Sequence, residues 1–148
     1  MKLSKIAALF MVPVLALCLV ACSAPGGNAS ESTGSDPKIA ELIAQEPANA
    51  DEAAAYDKLA LGCPSMGDEV LEEDEMEPFF TALEGKISGK KVVLFGSYDW
   101  GDGQWMRDWQ QRTVQAGAKM PADGLIVNLT PDEDGLAQCR ELGAKIAE

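Results

Sequence analysis

The sequence predicts an α/β domain built on a parallel sheet with flanking helices. Short apolar runs alternate with segments of helical periodicity from about residue 58 to the end, and strands that alternate with helices form parallel sheets with right-handed crossovers. An apolar share of 47% in 148 residues excludes a wholly disordered chain. A single long apolar run, close to the start, excludes a polytopic membrane protein. No internal repeat is found.

The first 21 residues predict a secretion signal. Residues 1–5 are short and basic, and residues 6–20 are almost continuously apolar but too short for a comfortable membrane span. The Leu19–Cys22 segment (LVAC) resembles the processing site of bacterial lipoproteins, in which the cysteine becomes a lipidated N-terminus. This interpretation discards Cys18 and makes Cys22 the acylated residue, with palmitate among its chains. An uncleaved anchor helix and an ordinary cleaved signal are the alternatives.

Processing at Cys22 implies a protein held at the cell membrane by its lipid and facing outside the cytoplasm, since several acyl chains make anchoring stable. Residues 22–35 are small and polar, as expected of a flexible tether. The remaining residues, 36–148, form the predicted domain. Without the signal the chain has ten basic and 24 acidic residues, a net charge of −14. This balance argues against nucleic-acid binding.

The elements follow one another along the predicted domain. Asp36 and Pro37 can begin a helix that carries an apolar stripe. Glycines bound the apolar strand at 92–95, and Gly117 can end the helix that precedes the last strand. The segment Thr130–Glu133 (TPDE) has the pattern of a capping box before the last helix. The predicted strands are Lys58–Gly62, Val92–Phe95 and Leu125–Val127, and the remaining helices lie at about 76–83, 105–113 and 131–146.

Two loops follow strand ends, where open α/β sheets bind ligands. The first is GCPSMGDE (62–69) and the second is GSYDWGDG (96–103). Met66 and Trp100 could sandwich a flat ring, while the neighbouring glycines allow a close approach of the backbone. Taken alone, this pattern is weak, because a loop tryptophan beside glycine more often serves packing.

Three long segments carry a resemblance to a known family. They are YDKLALGCPSMGDEVLEEDEMEPFF, GKKVVLFGSYDWGDGQWMRDW and GLIVNLTPDEDGLAQCRELGAKIA, which span most of residues 51–148. Together they resemble a short-chain flavodoxin. The resemblance implies a doubly wound sheet of order 2-1-3-4-5. It also implies non-covalently bound FMN and one-electron transfer between redox proteins, without a catalytic residue or a metal.

The resemblance also implies the residues that contact the flavin ring. Met66 corresponds to the residue on its inner face and Trp100 to the aromatic on its outer face. Gly67 corresponds to the glycine whose carbonyl turns toward the flavin N5–H, which a residue without Cβ does cheaply. Asp68 and Glu69 correspond to positions that steady the loop and accept from the flavin N3–H. The complete set is Ser65, Met66, Gly67, Asp68, Glu69, Ser97, Tyr98, Asp99, Trp100 and Gly101.

The N-terminal third departs from the family pattern. Flavodoxins begin with a strand that leads into a phosphate-binding (S/T)GTGNT loop. Here Thr33 and Gly34 match, Ser35 stands in place of Asn, Asp36 in place of Thr, and Pro37 lacks an amide. A carboxylate in a phosphate nest is repulsive. The sequence therefore predicts a degenerate phosphate loop, and it predicts that the first and second strands are missing, leaving a three-stranded half-sheet.

Charged residues and cysteines complete the predictions. Asp99 stands where the family usually has Gly before the stacking tryptophan. This substitution either adds a negative charge beside the ring and strains the turn, if its φ is positive, or is a surface change without effect. Residues 68–77 hold seven acids, either a solvated helix face or a docking patch for basic redox partners. The absence of histidine excludes a His-dependent triad or a His-ligated metal. Cys63 and Cys139 are expected to be buried thiols rather than a disulfide.

These observations predict a membrane-anchored, FMN-binding electron carrier, or a derivative with impaired phosphate binding. The alternative is a non-enzymatic interaction or structural lipoprotein that has lost FMN. A flavin-dependent reductase is disfavoured because no distinct acid–base constellation is present.

Overall fold

A computed structural model describes residues 6–10 and 49–148. These residues form a parallel sheet of four strands in the order β1-β2-β3-β4. The strands are β1 (Ile6–Phe10), β2 (Lys58–Gly62), β3 (Lys91–Tyr98) and β4 (Leu125–Asn128), and the helices are α1 (Ala50–Ala53), α2 (Met76–Glu84), α3 (Gln104–Gln115) and α4 (Glu133–Ala147). The α/β class and the parallel sheet are confirmed.

Strand β1 corrects the prediction that the first strand is missing. It pairs in parallel with β2, from Ile6 opposite Lys58 to Phe10 opposite Gly62. The resulting order is that of strands 1, 3, 4 and 5 of the expected doubly wound sheet. A short apolar run is compatible with both a signal segment and a buried strand, so its pattern could not distinguish the two. The predicted helix from Asp36 and the predicted absence of the second strand both concern residues outside the described part of the chain.

The two faces of the sheet carry different cores. Leu59 and Leu61 of β2 and Leu94 of β3 are buried with α1, α2 and α3 on one face. Trp105 and Trp109 of α3 are each 1% exposed, which confirms their predicted place in the core. On the other face Val93 and Phe95 pack against Leu142 and Ile146 of α4. No helix of the described residues is long and apolar enough to cross a membrane.

The helix ends show how local chemistry shifts predicted boundaries. The cap of α4 is Asp132, whose carboxylate accepts from the Gly135 amide at 2.9 Å, and not Thr130 as the capping-box pattern predicts. Aspartate caps at least as well as threonine, so the helix begins two residues later. Helix α1 was not predicted; Asn49 caps it by accepting from the Glu52 amide at 2.9 Å.

Candidate functional site

Two loops meet at the carboxyl edge of the sheet. Residues 63–70 follow β2 and residues 99–103 follow β3. The pairing between these strands continues beyond β2, because the Cys63 amide donates to the Phe95 carbonyl at 3.1 Å and the Ser65 amide donates to the Ser97 carbonyl at 2.9 Å. The structure therefore brings both halves of the predicted flavin site together, with Ser65 and Ser97 as their point of contact.

The first loop closes into a tight turn. Met66 and Val70 exchange two backbone hydrogen bonds, of 3.0 and 2.9 Å. Gly67 has φ +48° and Glu69 has φ +54°, so two of the three residues between them lie in the left-handed region. Glycine adopts this conformation freely, whereas it is uncommon for glutamate. The turn leaves the Met66 side chain 41% exposed at the rim of the sheet.

Glu69 ties the first loop to the second. Its Oε1 atom accepts from the backbone amides of Asp102 at 3.2 Å, Gly103 at 2.7 Å and Gln104 at 2.8 Å. These amides belong to the N-terminus of α3, where backbone donors lack intrahelical partners and the helix dipole favours a carboxylate. Glu69 thus fixes the distance between the loops, a role that its spacing in the sequence does not reveal.

Gly101 is required where this carboxylate crosses the second loop. A Cβ at Gly101 would lie 2.4 Å from Cδ of Glu69, and the glycine has φ +93°. A side chain at this position would therefore both strain the backbone and displace Glu69 from the helix end.

The second loop presents a tryptophan to solvent. Trp100 is 57% exposed, a large fraction for the largest apolar side chain. The loop is held from the neighbouring strand, because the Asn128 side-chain amide donates to the carbonyls of Tyr98 at 3.1 Å and Asp99 at 3.2 Å. Asp99 does not have a positive φ, so the expectation that it strains this turn is wrong. Its exposed carboxylate adds charge beside Trp100 without a backbone cost.

Backbone donors also remain available in both loops. Within the described residues, the amides of Asp68, Glu69, Asp99, Trp100 and Gly101 donate to no acceptor. Peptide N–H groups in a fixed loop are suited to the carbonyl oxygens of a polar ring edge. The site therefore combines two exposed apolar side chains with unused backbone donors.

The acidic run at residues 68–77 does not form a solvated helix face, which was one of its two interpretations. Residues 68–75 form two turns joined by a short irregular segment, and helix α2 begins only at Met76. The Glu72 carboxylate accepts hydrogen bonds from the backbone amides of Asp74, Glu75 and Met76 at 2.8–3.0 Å. These bonds, of which the one from Met76 has the largest effect, hold the pKa of the Glu72 carboxyl below its ordinary value. The exposed acids beside it leave the docking-patch interpretation open.

The described cysteines offer no chemistry to this site. Cys63 is fully buried, and burial raises the pKa of its thiol to about 11. It is therefore protonated and unreactive at neutral pH. Cys139 is likewise not part of a disulfide, but it is half-buried, which corrects the expectation that it is buried. Among the described residues no cluster of three potential metal ligands occurs.

Some predicted residues lie elsewhere. Cys22 and the phosphate-loop residues Thr33, Gly34 and Ser35 fall outside the described residues. One residue at the same edge was not predicted from the sequence: Leu129, which follows β4, has φ +52° and is 58% exposed. The Leu129 amide donates to the Tyr98 carbonyl at 2.8 Å, so it lies beside the second loop. An exposed leucine after a strand gives no signal in the sequence.

One open depression in the described surface lies apart from these loops. It has a volume of about 500 Å³ and lies between the start of β4 and α4, lined by Gln138, Glu141 and Lys145 among others. The Glu141–Lys145 ion pair occupies one wall. Because none of the predicted site residues borders it, the loops at the carboxyl edge remain the candidate site.

Comparisons with known proteins agree on one family. A sequence model of the flavodoxin family matches residues 26–143. The chain is 48% identical to a flavodoxin of Clostridium beijerinckii over 129 residues, which covers 78% of this chain and 93% of that protein. It is 48% identical to a flavodoxin of Megasphaera elsdenii over 108 residues, which covers 73% and 77%. The solution structure of two-electron reduced M. elsdenii flavodoxin superposes with a TM-score of 0.68 at 34% identity, over 96% and 97% of the two chains.

Proposed function

This chain belongs to the flavodoxin family, and we propose that it is a membrane-anchored, FMN-binding one-electron carrier with a weakened hold on the FMN phosphate. Flavodoxins are electron-transfer proteins rather than enzymes. The observation that carries the proposal is the pairing of the two loops by Glu69, which brings Met66 and Trp100 to the same edge of the sheet.

The residues at this edge fit a flavin ring. Met66 and Trp100 supply polarizable and aromatic surfaces that are exposed in the described chain. The unused amides of Asp99, Trp100 and Gly101 supply donors for the polar edge of the ring. Gly67 has φ +48°, and a Cβ at this position would meet only the Val70 side chain, at 3.5 Å, so its peptide has room to turn.

FMN, when bound, takes up and gives up single electrons. The protein's part is to hold and orient the ring, to keep water from its faces and to set the surrounding charge. Asp68, Asp99 and Asp102 are exposed acids of the two loops. Their charge opposes the gain of negative charge at the site and so lowers the reduction potential. The same acids would attract a basic redox partner.

The ring contacts are tested by titrating the full chain with FMN. Oxidised flavin in the purified protein, or quenching of flavin fluorescence on addition of FMN, is the expected result. Trp100→Ala should weaken binding by about 1–3 kcal/mol, the scale of base–aromatic stacking. Trp109→Phe, a change in the core, is the matched control and should leave the dissociation constant unchanged. A chain that binds no flavin would instead support the alternative, a lipoprotein that has lost FMN.

The weak phosphate site rests on sequence alone. Asp36 places a carboxylate, and Pro37 removes an amide, where the family cradles the phosphate. We expect similar dissociation constants for FMN and riboflavin in calorimetry. Asp36→Thr together with Pro37→Ala should restore a preference for FMN. Tight FMN binding that depends strongly on the phosphate in the unaltered chain would contradict this part of the proposal.

Membrane attachment rests on the processing site at Cys22. The variant Cys22→Ala should leave an unprocessed precursor or release the protein from the membrane fraction. Mass spectrometry of the mature chain is the measurement, and it should show diacylglycerol and palmitate on Cys22. Unchanged fractionation and unchanged mass in the variant would contradict attachment at this residue.

A further inference from the structure

Three lysines lie in register along the amino edge of the sheet, opposite the flavin loops. Lys58 begins β2 and is the register partner of Lys91, which begins β3. Lys91 in turn forms a parallel bridge with Lys119. Because neighbouring strands are about 4.8 Å apart, the backbones of these lysines fall within about 10 Å of one another. We refer to Lys58, Lys91 and Lys119 as the lysine row.

The lysine row is unusual in so acidic a chain. The sequence has 24 acidic and 12 basic residues, yet within the described part of the chain Lys91 and Lys119 form no ion pair and no side-chain hydrogen bond. Lys58 donates through Nζ to the Ala147 carbonyl. Like charges placed opposite each other on adjacent strands are destabilising. A local rule broken without a compensating contact is typical of a functional surface.

The nearest acids act on one end of the row. Partial burial and the charge of Lys91 lower the pKa of Lys58, while Asp57 and Glu148 oppose this shift. Neither acid forms an ion pair with the row. Among the residues that the structure describes, Lys91 and the exposed Lys119 are therefore cations of this edge without an ion pair.

Distance separates the lysine row from the acids of the flavin loops. Strand β3 runs from Lys91 to Tyr98, and at about 3.3 Å per residue its ends are roughly 23 Å apart. The Debye length is about 8–10 Å at physiological ionic strength. The acids of the loops therefore do little to cancel the field of the row, and the acids that act on its Lys58 end are Asp57 and Glu148.

We propose that the lysine row is a docking surface for the anionic phospholipid headgroups of a bilayer. This inference rests on the proposed membrane attachment, which keeps the domain within reach of headgroups. With the row against the bilayer, the opposite edge, including Met66 and Trp100, faces away from it and stays open to redox partners. A lipid chain supported by a basic surface is a recognised two-part means of membrane attachment.

The test measures the partitioning of the lipid-bearing mature chain, which lacks Lys2 and Lys5, into vesicles of pure phosphatidylcholine and into vesicles that also contain phosphatidylglycerol. The acyl or apolar contribution of the N-terminal segment is common to both compositions and cancels in the ratio of the two partition coefficients. A lysine near an anionic surface adds roughly fivefold to binding. Since the net negative charge of the chain opposes the two free lysines, we expect a ratio of about ten at low salt, falling toward one at high salt.

Lys119→Glu should reduce this ratio several-fold, and Lys91→Gln with Lys119→Gln should bring it close to one. Arg140→Glu is the matched control, since it reverses one exposed charge on α4 and should change the ratio much less. Melting curves establish that each variant is folded. The proposal would be overturned if the unaltered chain gave a ratio of one or less, or if Arg140→Glu lowered the ratio as much as Lys119→Glu does. Binding to immobilised polyglutamate without binding to anionic vesicles would also overturn it, because the row would then bind an acidic polypeptide rather than headgroups. Failure of anchoring itself would appear separately, as loss of partitioning into pure phosphatidylcholine.

Discussion

Replacing Glu69 with alanine should destabilise the fold and uncouple the two flavin loops. One carboxylate oxygen accepts from three amides at the N-terminus of α3, and alanine leaves all three without their acceptor. Loss of a capping side chain costs about 0.5–2 kcal/mol. Hydrogen bonds to a charged group contribute about 1.5–3 kcal/mol. For this half-buried carboxylate we expect a loss of about 2–3 kcal/mol in the free energy of unfolding.

This loss corresponds to a decrease in Tm of about 8–12 °C for a domain of this size. Calorimetry or circular dichroism in the absence of flavin measures it without contributions from binding. Glu69→Gln retains an oxygen acceptor but loses the charge, so about half the effect should remain. Alanine, like glutamate, is strained at φ +54°, so the backbone term cancels in the comparison.

Glu73 provides the control, because it is an exposed acid on the same acidic run with no hydrogen bond in the described structure. Glu73→Ala should change Tm by no more than about 2 °C. Equal melting temperatures for the two alanine variants would refute the reasoning, since they would show that the contact between Glu69 and α3 contributes no stability.

Further predictions concern packing and pH. Gly96→Ala should prevent folding or cost several kcal/mol in a denaturant titration, because the new Cβ would lie 2.1 Å from the Cys63 carbonyl oxygen. Gly143→Ala should instead raise Tm, because this position in α4 has open space and alanine favours a helix by about 1 kcal/mol. Hydrogen bonds from Arg112 hold the pKa of Glu77 below 4.5, so the stability that Glu77 contributes is present above that pH and is lost as the pH falls through the lowered pKa. Glu77→Gln should therefore lower the unfolding free energy near neutral pH and flatten its decline as the pH falls into the acid range.

The central strands and the core tryptophans could be predicted because their flanking residues and spacing agree with burial in the fold. An apolar run bounded by glycines, such as the one that became β3, must be buried, and the helical spacing of Trp105 and Trp109 places both on the core face of α3. The two loops of the candidate site were predicted to follow strand ends, and they do follow β2 and β3. In each case a local pattern and the fold agree.

What could not be predicted depends on contacts between distant residues. The three bonds from Glu69 to the start of α3 join positions 33 to 35 residues apart, and no pattern around Glu69 reports them. The lysine row is equally invisible, since Lys58, Lys91 and Lys119 become neighbours only through strand register. The ordinary φ of Asp99 likewise depends on how the adjacent Asn128 side chain holds the loop.

The last prediction follows from the double use of residues 6–10, which form β1 and also lie within the predicted signal. The cleavage before Cys22 that we propose would remove β1 and leave β2 as the edge strand of the described sheet. In a parallel sheet alternate amides of a strand bond to opposite neighbours. About half of the amides in Lys58–Gly62 should therefore exchange hydrogen faster in the processed protein than in the full chain, while β3 stays protected. Equal protection of β2 in both forms would mean that another segment replaces β1, and that the sheet edge at β2 is not opened by processing.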